Sequence, residues 1–488
     1  MSQPSSLANL FRASGLYAFG NALNRVGGFL LLPLYTRYLS VAEYGTLEFL
    51  YAISSIAAGI LSIGIASATL RFYFEYDDPK DQHAVISTNF WASLLIGGIG
   101  GVTLWFGISA FGDKLLPNTT PTMALGLVLA TICLELSTEV CLAYVRAREM
   151  PLLFVSISLA KLITQCSANI YLVRVQGAGI EGVLLGNLIA VGLKWCLLAA
   201  FCLHRCGVAF SLRKLIPVLR YCAPFLFTTV LGIVASNFDR FLINSVLSVE
   251  ALGIYALALK FSRLIAEFIG VPFGLAFGAY RFAIMKQANA GAIQARVVRY
   301  LACVLAIFGL ALSYFLIDVL RVMTEAHYWP AADLIPWLVT ASVLSVLTGP
   351  LQTGILYAKR TSELFYVTLA GACVGLPLAW WAAHAHGLAG VCAAVVVTSA
   401  LTAGLTAKLS ARHFSVSYGV RPWLTMAVLW VAFQLLPMTT QALPPLAAAA
   451  AKGGMLLAFT ASLFLCRILT FAELRDALNA VRSSRRGR

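Results

Sequence analysis

Six basic and five acidic side chains lie inside stretches that otherwise read as hydrocarbon-spanning helices: Arg25, Lys161, Lys194, Arg240, Lys260 and Arg263, with Glu48, Glu135, Glu139, Asp239 and Glu267. A charge at the bilayer centre costs about 2.5–3.5 kcal/mol on insertion scales, so such groups face one another or a water-filled path. Polar residues accompany them at helical spacing. Ser14, Tyr17, Asn21, Asn24 and Gly28 recur every three or four residues, with Arg25 four after Asn21, which puts them on one helix face. Glu48, Tyr51, Ser55 and Ser62 form a second stripe, and Ser158, Lys161, Gln165 and Asn169 a third. Thr229, Ser236, Asp239, Arg240 and Asn244 form a fourth, and Lys260, Arg263 and Glu267 a fifth. Part of this is ordinary glue between helices, since small and amide side chains hold spans together. Asp239 with Arg240, Arg263 with Glu267, and Glu135 and Glu139 with Lys161 are spaced to neutralise one another. The remaining chemistry is recognition and passage of a polar solute. Arginine presents a planar fork matched to phosphate, which makes Arg25, Arg240, Arg263, Lys161 and Lys260 candidate ligands for an anion. Arg12 and Arg71, at cytoplasmic helix ends, are placed to guide an anionic head group inward.

The elements that must hold these residues are membrane spans. The chain has 488 residues, 60% of them hydrophobic and 11% charged, with a mean hydropathy of +0.85. Soluble domains carry about 25% charged residues. A span takes about 20 apolar residues, and the sequence accommodates about fourteen, with no connection long enough for a soluble domain. The first polar stretch, residues 1–9, runs straight into span one, so that span is expected to be retained rather than cleaved as a leader. The net charge of +15 is distributed as a topology signal. One set of alternate loops collects Arg71, Lys80, Arg146, Arg148, Arg205, Arg213, Lys214, Arg220, Arg281, Lys286, Arg296, Arg299, Lys359, Arg360, Lys408, Arg412, Arg421 and the tail from Arg475 to Arg488. The other set holds only Arg37, Lys114, Arg174 and Arg321. By the positive-inside rule both termini are cytoplasmic. The same distribution argues against nucleic-acid binding. The 11 cysteines fall mostly inside apolar spans without His or Cys companions at metal spacing, and His384 and His386 lack acidic partners. No Gly-Lys-Ser/Thr phosphate loop is present and no outer loop could carry a catalytic domain, so the chain reads as a non-enzyme without cofactor.

The sequence is internally duplicated. Leu39-Ser40-Val41-Ala42-Glu43-Tyr44-Gly45 recurs as Leu247-Ser248-Val249-Glu250-Ala251-Leu252-Gly253, each following a long polar-streaked span. Serine is placed to cap the next helix and glycine to allow close packing. Arg71-Phe72-Tyr73 answers Arg281-Phe282-Ala283, and Arg146-Ala147-Arg148 answers Lys359-Arg360. The expected architecture is an all-α integral membrane protein with two pseudo-symmetric six-helix lobes, 1–206 and 207–412, and two further helices with a basic tail in 413–488. Six spans per copy is even, so the repeat is a parallel one, as transporters use. Residues 207–221 read as an amphipathic linker on the cytoplasmic face, and the tail as a segment lying on anionic lipid.

The run from Leu34 to Gly45, and Phe238-Asp239-Arg240-Phe241 followed by Leu247-Ser248-Val249 and Gly253-Ile254-Tyr255, resemble Wzx-type polysaccharide flippases of the multidrug/oligosaccharidyl-lipid/polysaccharide exporter superfamily. The resemblance implies a V-shaped transporter of the bacterial inner membrane. It would move an undecaprenyl-diphosphate-linked oligosaccharide (O-antigen, capsule or exopolysaccharide repeat) to the periplasmic leaflet by alternating access. It implies membrane lipids and polysaccharide polymerase or export machinery as partners, and H+ or Na+ as coupling ion. Tyr17, Asn21, Asn24 and Gln165 would then line the glycan cavity, and Glu139, Asp239 and Glu267 would be candidate coupling carboxylates. A lipid II flippase and a drug/cation antiporter of the same superfamily remain alternatives. Replacing Arg25 or Arg240 by alanine is expected to abolish transport while the protein still inserts, measured by paired export and membrane-fraction assays.

Overall fold

Both copies of the seven-residue motif open a helix for the reason their serines suggest. In the computed structural model, Ser40 Oγ accepts from Glu43 N at 3.2 Å while Ser40 N donates to Glu43 Oε2 at 2.8 Å, a complete capping box. Ser248 Oγ accepts from Ala251 N at 3.1 Å, a single cap, because the second copy has alanine where the first has Glu43. The structure describes residues 15–17, 19, 20, 23, 27–111, 122–284, 289–414, 416, 418–436 and 444–469. Arg12, Asn21, Asn24, Arg25 and the tail from Arg475 to Arg488 lie outside these.

The described residues are helical with no strand, in agreement with the expected all-α membrane fold. They group into two compact units, one of residues Met1–Gly253 with Met323–Glu325, the other of Ile254–Val322 with Ala326–Arg488. The first holds α1 (Leu32–Tyr38), α2 (Val41–Ser62), α3 (Ile65–Tyr73), α4 (Pro79–Phe111), α5 (Thr122–Ala147), α6 (Pro151–Asn169), α7 (Gly179–Cys206), α8 (Leu212–Val246) and the start of α9 (Val249–Ser262). Here α5 packs against α4 and α7, α6 against α7, and α2 against α8. The core between them is built from Phe90, Val140, Cys141, Tyr144, Leu198, Cys202 and Val218, all nearly inaccessible. The cysteines serve as small apolar residues there.

The second unit holds the rest of α9, α10 (Val271–Ile284), α11 (Ala290–Met323), a 3-10 turn over Ala326–Leu334, α12 (Ile335–Leu351), α13 (Thr353–Tyr357), α14 (Ser362–His413), α15 (Val420–Leu435) and α16 (Pro445–Leu465). The length of α14 hides two spans: Gly387, with φ 59° and ψ −140°, breaks it near the middle. The two C-terminal helices are fastened to α11. Lys452 Nζ meets Asp318 Oδ2 at 2.6 Å, and Gln434 Nε2 donates to Ser313 Oγ at 3.1 Å.

Several spans are interrupted. Between α2 and α3, Ile63 (φ 47°) and Gly64 (φ 75°) are left-handed. A β-branched residue rarely adopts that conformation, which stores strain. Helix α6 runs into a π turn over Ile170–Val175, and α9 and α10 are separated by a π turn over Ala266–Gly270. Residues 207–221 do not form a helix of their own. Gly207 ends α7 with φ 73°, and from Leu212 the chain runs unbroken to Val246. The amphipathic character is retained, with Val208, Phe210, Leu212 and Ile216 exposed and Leu215 and Val218 buried.

The motif glycines meet. A Cβ on Gly45 would lie 2.0 Å from the Val249 carbonyl oxygen, and one on Gly253 would lie 2.4 Å from the Val41 carbonyl oxygen. With an offset of 208 between copies, this is one contact made twice, reciprocally. Gly45→Ala and Gly253→Ala should each lower stability by about 1–3 kcal/mol through overpacking. Thermal unfolding in detergent checks this against Gly232→Ala, where a Cβ meets nothing within 4 Å.

Candidate functional site

Polar side chains of α2, α6 and α7 join in a chain at the centre of the first unit. Gln165 Nε2 donates to Asn187 Oδ1 at 2.6 Å, and Asn187 Nδ2 donates to Tyr51 Oη at 2.8 Å. One turn on, Asn169 Nδ2 bonds the Gln165 carbonyl at 2.8 Å while its Oδ1 accepts from Tyr35 Oη of α1 at 3.3 Å. On α2, Tyr44 Oη donates to the buried Glu48 at 3.1 Å. Hydrocarbon supplies no partner for such groups, so each must be met within the protein. The spacing of Gln165 and Asn169 exposed this stripe in sequence. Asn187 was missed, although a lone asparagine in an apolar span is itself a signal.

A charged face adjoins the chain. Glu135 and Glu139 are one turn apart on α5 and both are exposed. Lys161 of α6 reaches Glu135 Oε1 at 3.7 Å, with 47% of the glutamate side chain and 18% of the lysine exposed. Lys194 of α7 is 7% exposed. The acidic groups thus stand outward and the ammonium groups beneath them, and carboxylates this open at mid-span require water beside them.

Arg240, on α8, is placed differently. It is 7% exposed, its guanidinium Nη1 donates to Asn237 Oδ1, and its Nε has no hydrogen-bond partner among the described residues. Asn237 in turn donates to the Ile233 carbonyl at 2.8 Å and to Ser55 Oγ of α2 at 3.4 Å. Asp239 does not take the guanidinium as the sequence suggests. Its Oδ1 accepts from the Arg240 backbone N at 3.0 Å, the ordinary reach of an aspartate to its own backbone.

Tyr17 Oη donates to the Val145 carbonyl at 3.4 Å and its ring packs on Phe154 at 5.4 Å, near the C-terminal end of α5. Arg71 lies over the Tyr221 ring at 4.4 Å, a cation–π contact in the last turn of α3. In the second unit, Lys260 is in the last turn of α9, Arg263 is exposed at the helix break, and Glu267 is half-buried in the π turn. No cluster of three or more metal-ligating side chains occurs among the described residues. Lys161, Gln165 and Arg240 are therefore gathered in the first unit, and Lys260, Arg263 and Glu267 in a second group.

The sequence matches a family model described as polysaccharide biosynthesis protein over residues 34–277. No curated protein sequence matches it. Among solved structures, the fold is similar to the lipid II flippase MurJ in an inward closed conformation, with a TM-score of 0.74 at 12% identity, covering 93% of this chain and 100% of that one. It is also similar to an inward-facing multidrug resistance MATE family transporter of the MOP superfamily, with a TM-score of 0.57 at 16% identity over 80% of this chain and 94% of that one. The Vibrio cholerae MATE transporter VcmN in its bent form gives a TM-score of 0.51 at 17% identity over 83% and 97%. At these identities the likeness is one of fold.

Asn187→Leu should leave Gln165 and Tyr51 each short of a partner and cost about 1–3 kcal/mol. Thermal unfolding of the variant beside Gln165→Leu/Asn187→Leu checks this, since the double variant should lose less than the sum of the singles.

Proposed function

Because the chain belongs to the polysaccharide biosynthesis protein family, we propose that it flips undecaprenyl-diphosphate-linked oligosaccharide repeat units from the cytoplasmic to the periplasmic leaflet of the bacterial inner membrane. It works by alternating access, driven by an H+ or Na+ gradient or by the membrane potential, and breaks no covalent bond. The observation that carries the reading is Arg240. A guanidinium buried in a membrane span, bonded to a neutral amide and with Nε unspent among the described residues, retains donor capacity for a phosphate oxygen. Lys161, Lys260 and Arg263, with Arg25, extend the cationic set. Tyr17, Asn21, Asn24 and Gln165 offer hydrogen bonds to sugar hydroxyls. Arg12 and Arg71 guide the head group, and Glu139, Asp239 and Glu267 are the carboxylates available for coupling.

A second reading, flipping of lipid II, is favoured by the full-length likeness to MurJ. Both substrates share the polyprenyl diphosphate and differ in the glycan. In a strain lacking the protein, intact lipid-linked repeat units should accumulate on the cytoplasmic leaflet. Ligation of those units onto a periplasmic acceptor should return with the wild-type chain and not with Arg240→Ala. Normal ligation in the deletion strain would remove the repeat-unit reading. Accumulated lipid II would point to the second, and loss of cation efflux alone to a drug/cation antiporter.

A further inference from the structure

Glu135, Glu139, Lys161 and Lys194 come from three helices and stand near the middle of each. Two contacts fix the register of α7 on α5. Trp195 Nε1 donates to Ser137 Oγ at 2.8 Å, and Cys202 Sγ approaches the Cys141 carbonyl at 3.9 Å. Lys194 is therefore level with the turn between Glu135 and Glu139. The charges acting on it are those of Lys161, Glu139, Glu135 and, further along α5, Arg146. Lys161 has taken Glu135. Lys194, 7% exposed, has no hydrogen bond or ion pair among the described residues.

Two bases and two acids leave the cluster neutral when all are ionised. A sodium ion needs a cage of oxygens, and two ammonium groups inside this cluster repel it. An anion meets the two outward carboxylates first. A proton is the one small ion that the cluster holds without rearranging its ligands. A buried ammonium that makes no direct ion pair has its desolvation only partly compensated by charges further off, and loss of a proton removes that penalty.

We propose that Lys194 is the proton-carrying residue of the coupling step, protonated when it pairs directly with Glu139 or Glu135 and neutral when, as among the described residues here, it makes no direct ion pair with either. The proton leaves Lys194 Nζ for water at the exposed Glu135–Glu139 face and returns by the same route. The coupling role rests on the flippase reading, whereas proton exchange at Lys194 does not.

The full-length protein in lipid nanodiscs is titrated between about pH 5 and pH 9, where a lysine of ordinary pKa does not exchange. The wild type should take up about one more proton per chain than Lys194→Gln, and than Lys194→Arg, whose guanidinium stays charged. Lys194→Arg keeps the cation and guards against a variant that fails to fold. Coincident curves would overturn the proposal. In sodium-free proteoliposomes, an imposed pH gradient should accelerate wild-type flipping of a fluorescent undecaprenyl-diphosphate-linked oligosaccharide, and both variants should lose that acceleration. Undiminished acceleration in either variant would overturn the coupling role. If the wild type flips no probe at all, the flippase reading fails, and the titration alone decides whether Lys194 exchanges a proton.

Discussion

Hydrocarbon offers no hydrogen bond and no counter-charge, and this one deficiency orders the interior of the protein. A polar group within a span must be answered by another span or by water. In the first unit the answer takes two forms. The amides and phenols of Gln165, Asn187, Tyr51, Asn169 and Tyr35 satisfy one another and tie α1, α2, α6 and α7 together. The titratable groups close on one another less completely. Glu135 and Glu139 are open, and among the described residues the closed-in Arg240 has no partner for its Nε and the closed-in Lys194 has no direct ion pair. Helices held by the satisfied set give a rigid frame on which the unsatisfied set is displayed. Polar networks that are complete specify a fold, and those left incomplete are available for work.

The architecture was legible because its causes are local or periodic. Apolar runs of spanning length, serine caps at Ser40 and Ser248 and the duplicated motif all act within a few residues, and the helices follow from them. The pairing of Lys452 with Asp318 and of Gln434 with Ser313 was not legible, because pairing across helices depends on rotation about each helix axis. The site was legible in type and not in pairing. Asp239 and Arg240 are adjacent in sequence and nearly opposed in role, since neighbouring residues on a helix point about 100° apart. The guanidinium found Asn237, one turn back on its own face. The break at Ile63-Gly64 had no sequence signature beyond one glycine, because the strain at Ile63 is imposed by packing rather than by preference.

The charge distribution also separates two tasks. Arg240, Lys260 and Arg263 lie on α8, on α9 and at the break after α9, whereas Lys161 and Lys194 stand on α6 and α7 beside the two acids of α5. A single pool of positive charge would bind an anion tightly and release it slowly. Setting acids beside part of that charge limits how firmly any one state holds its ligand, which a carrier needs if it is to turn over.

The reciprocal contact of Gly45 with Val249 and of Gly253 with Val41 has the form of a two-fold interface, in which each surface meets its own copy. In a dimer of separate chains every substitution there would appear on both sides at once. Joined in one polypeptide, the two sides can change singly. Ala42, Glu43 and Tyr44 have become Glu250, Ala251 and Leu252, while the valines and glycines at the crossing are the same in both. Of the seven positions the valine and glycine are tied by the crossing and the serine by its cap, and the three that differ are where one copy has been free to change without the other.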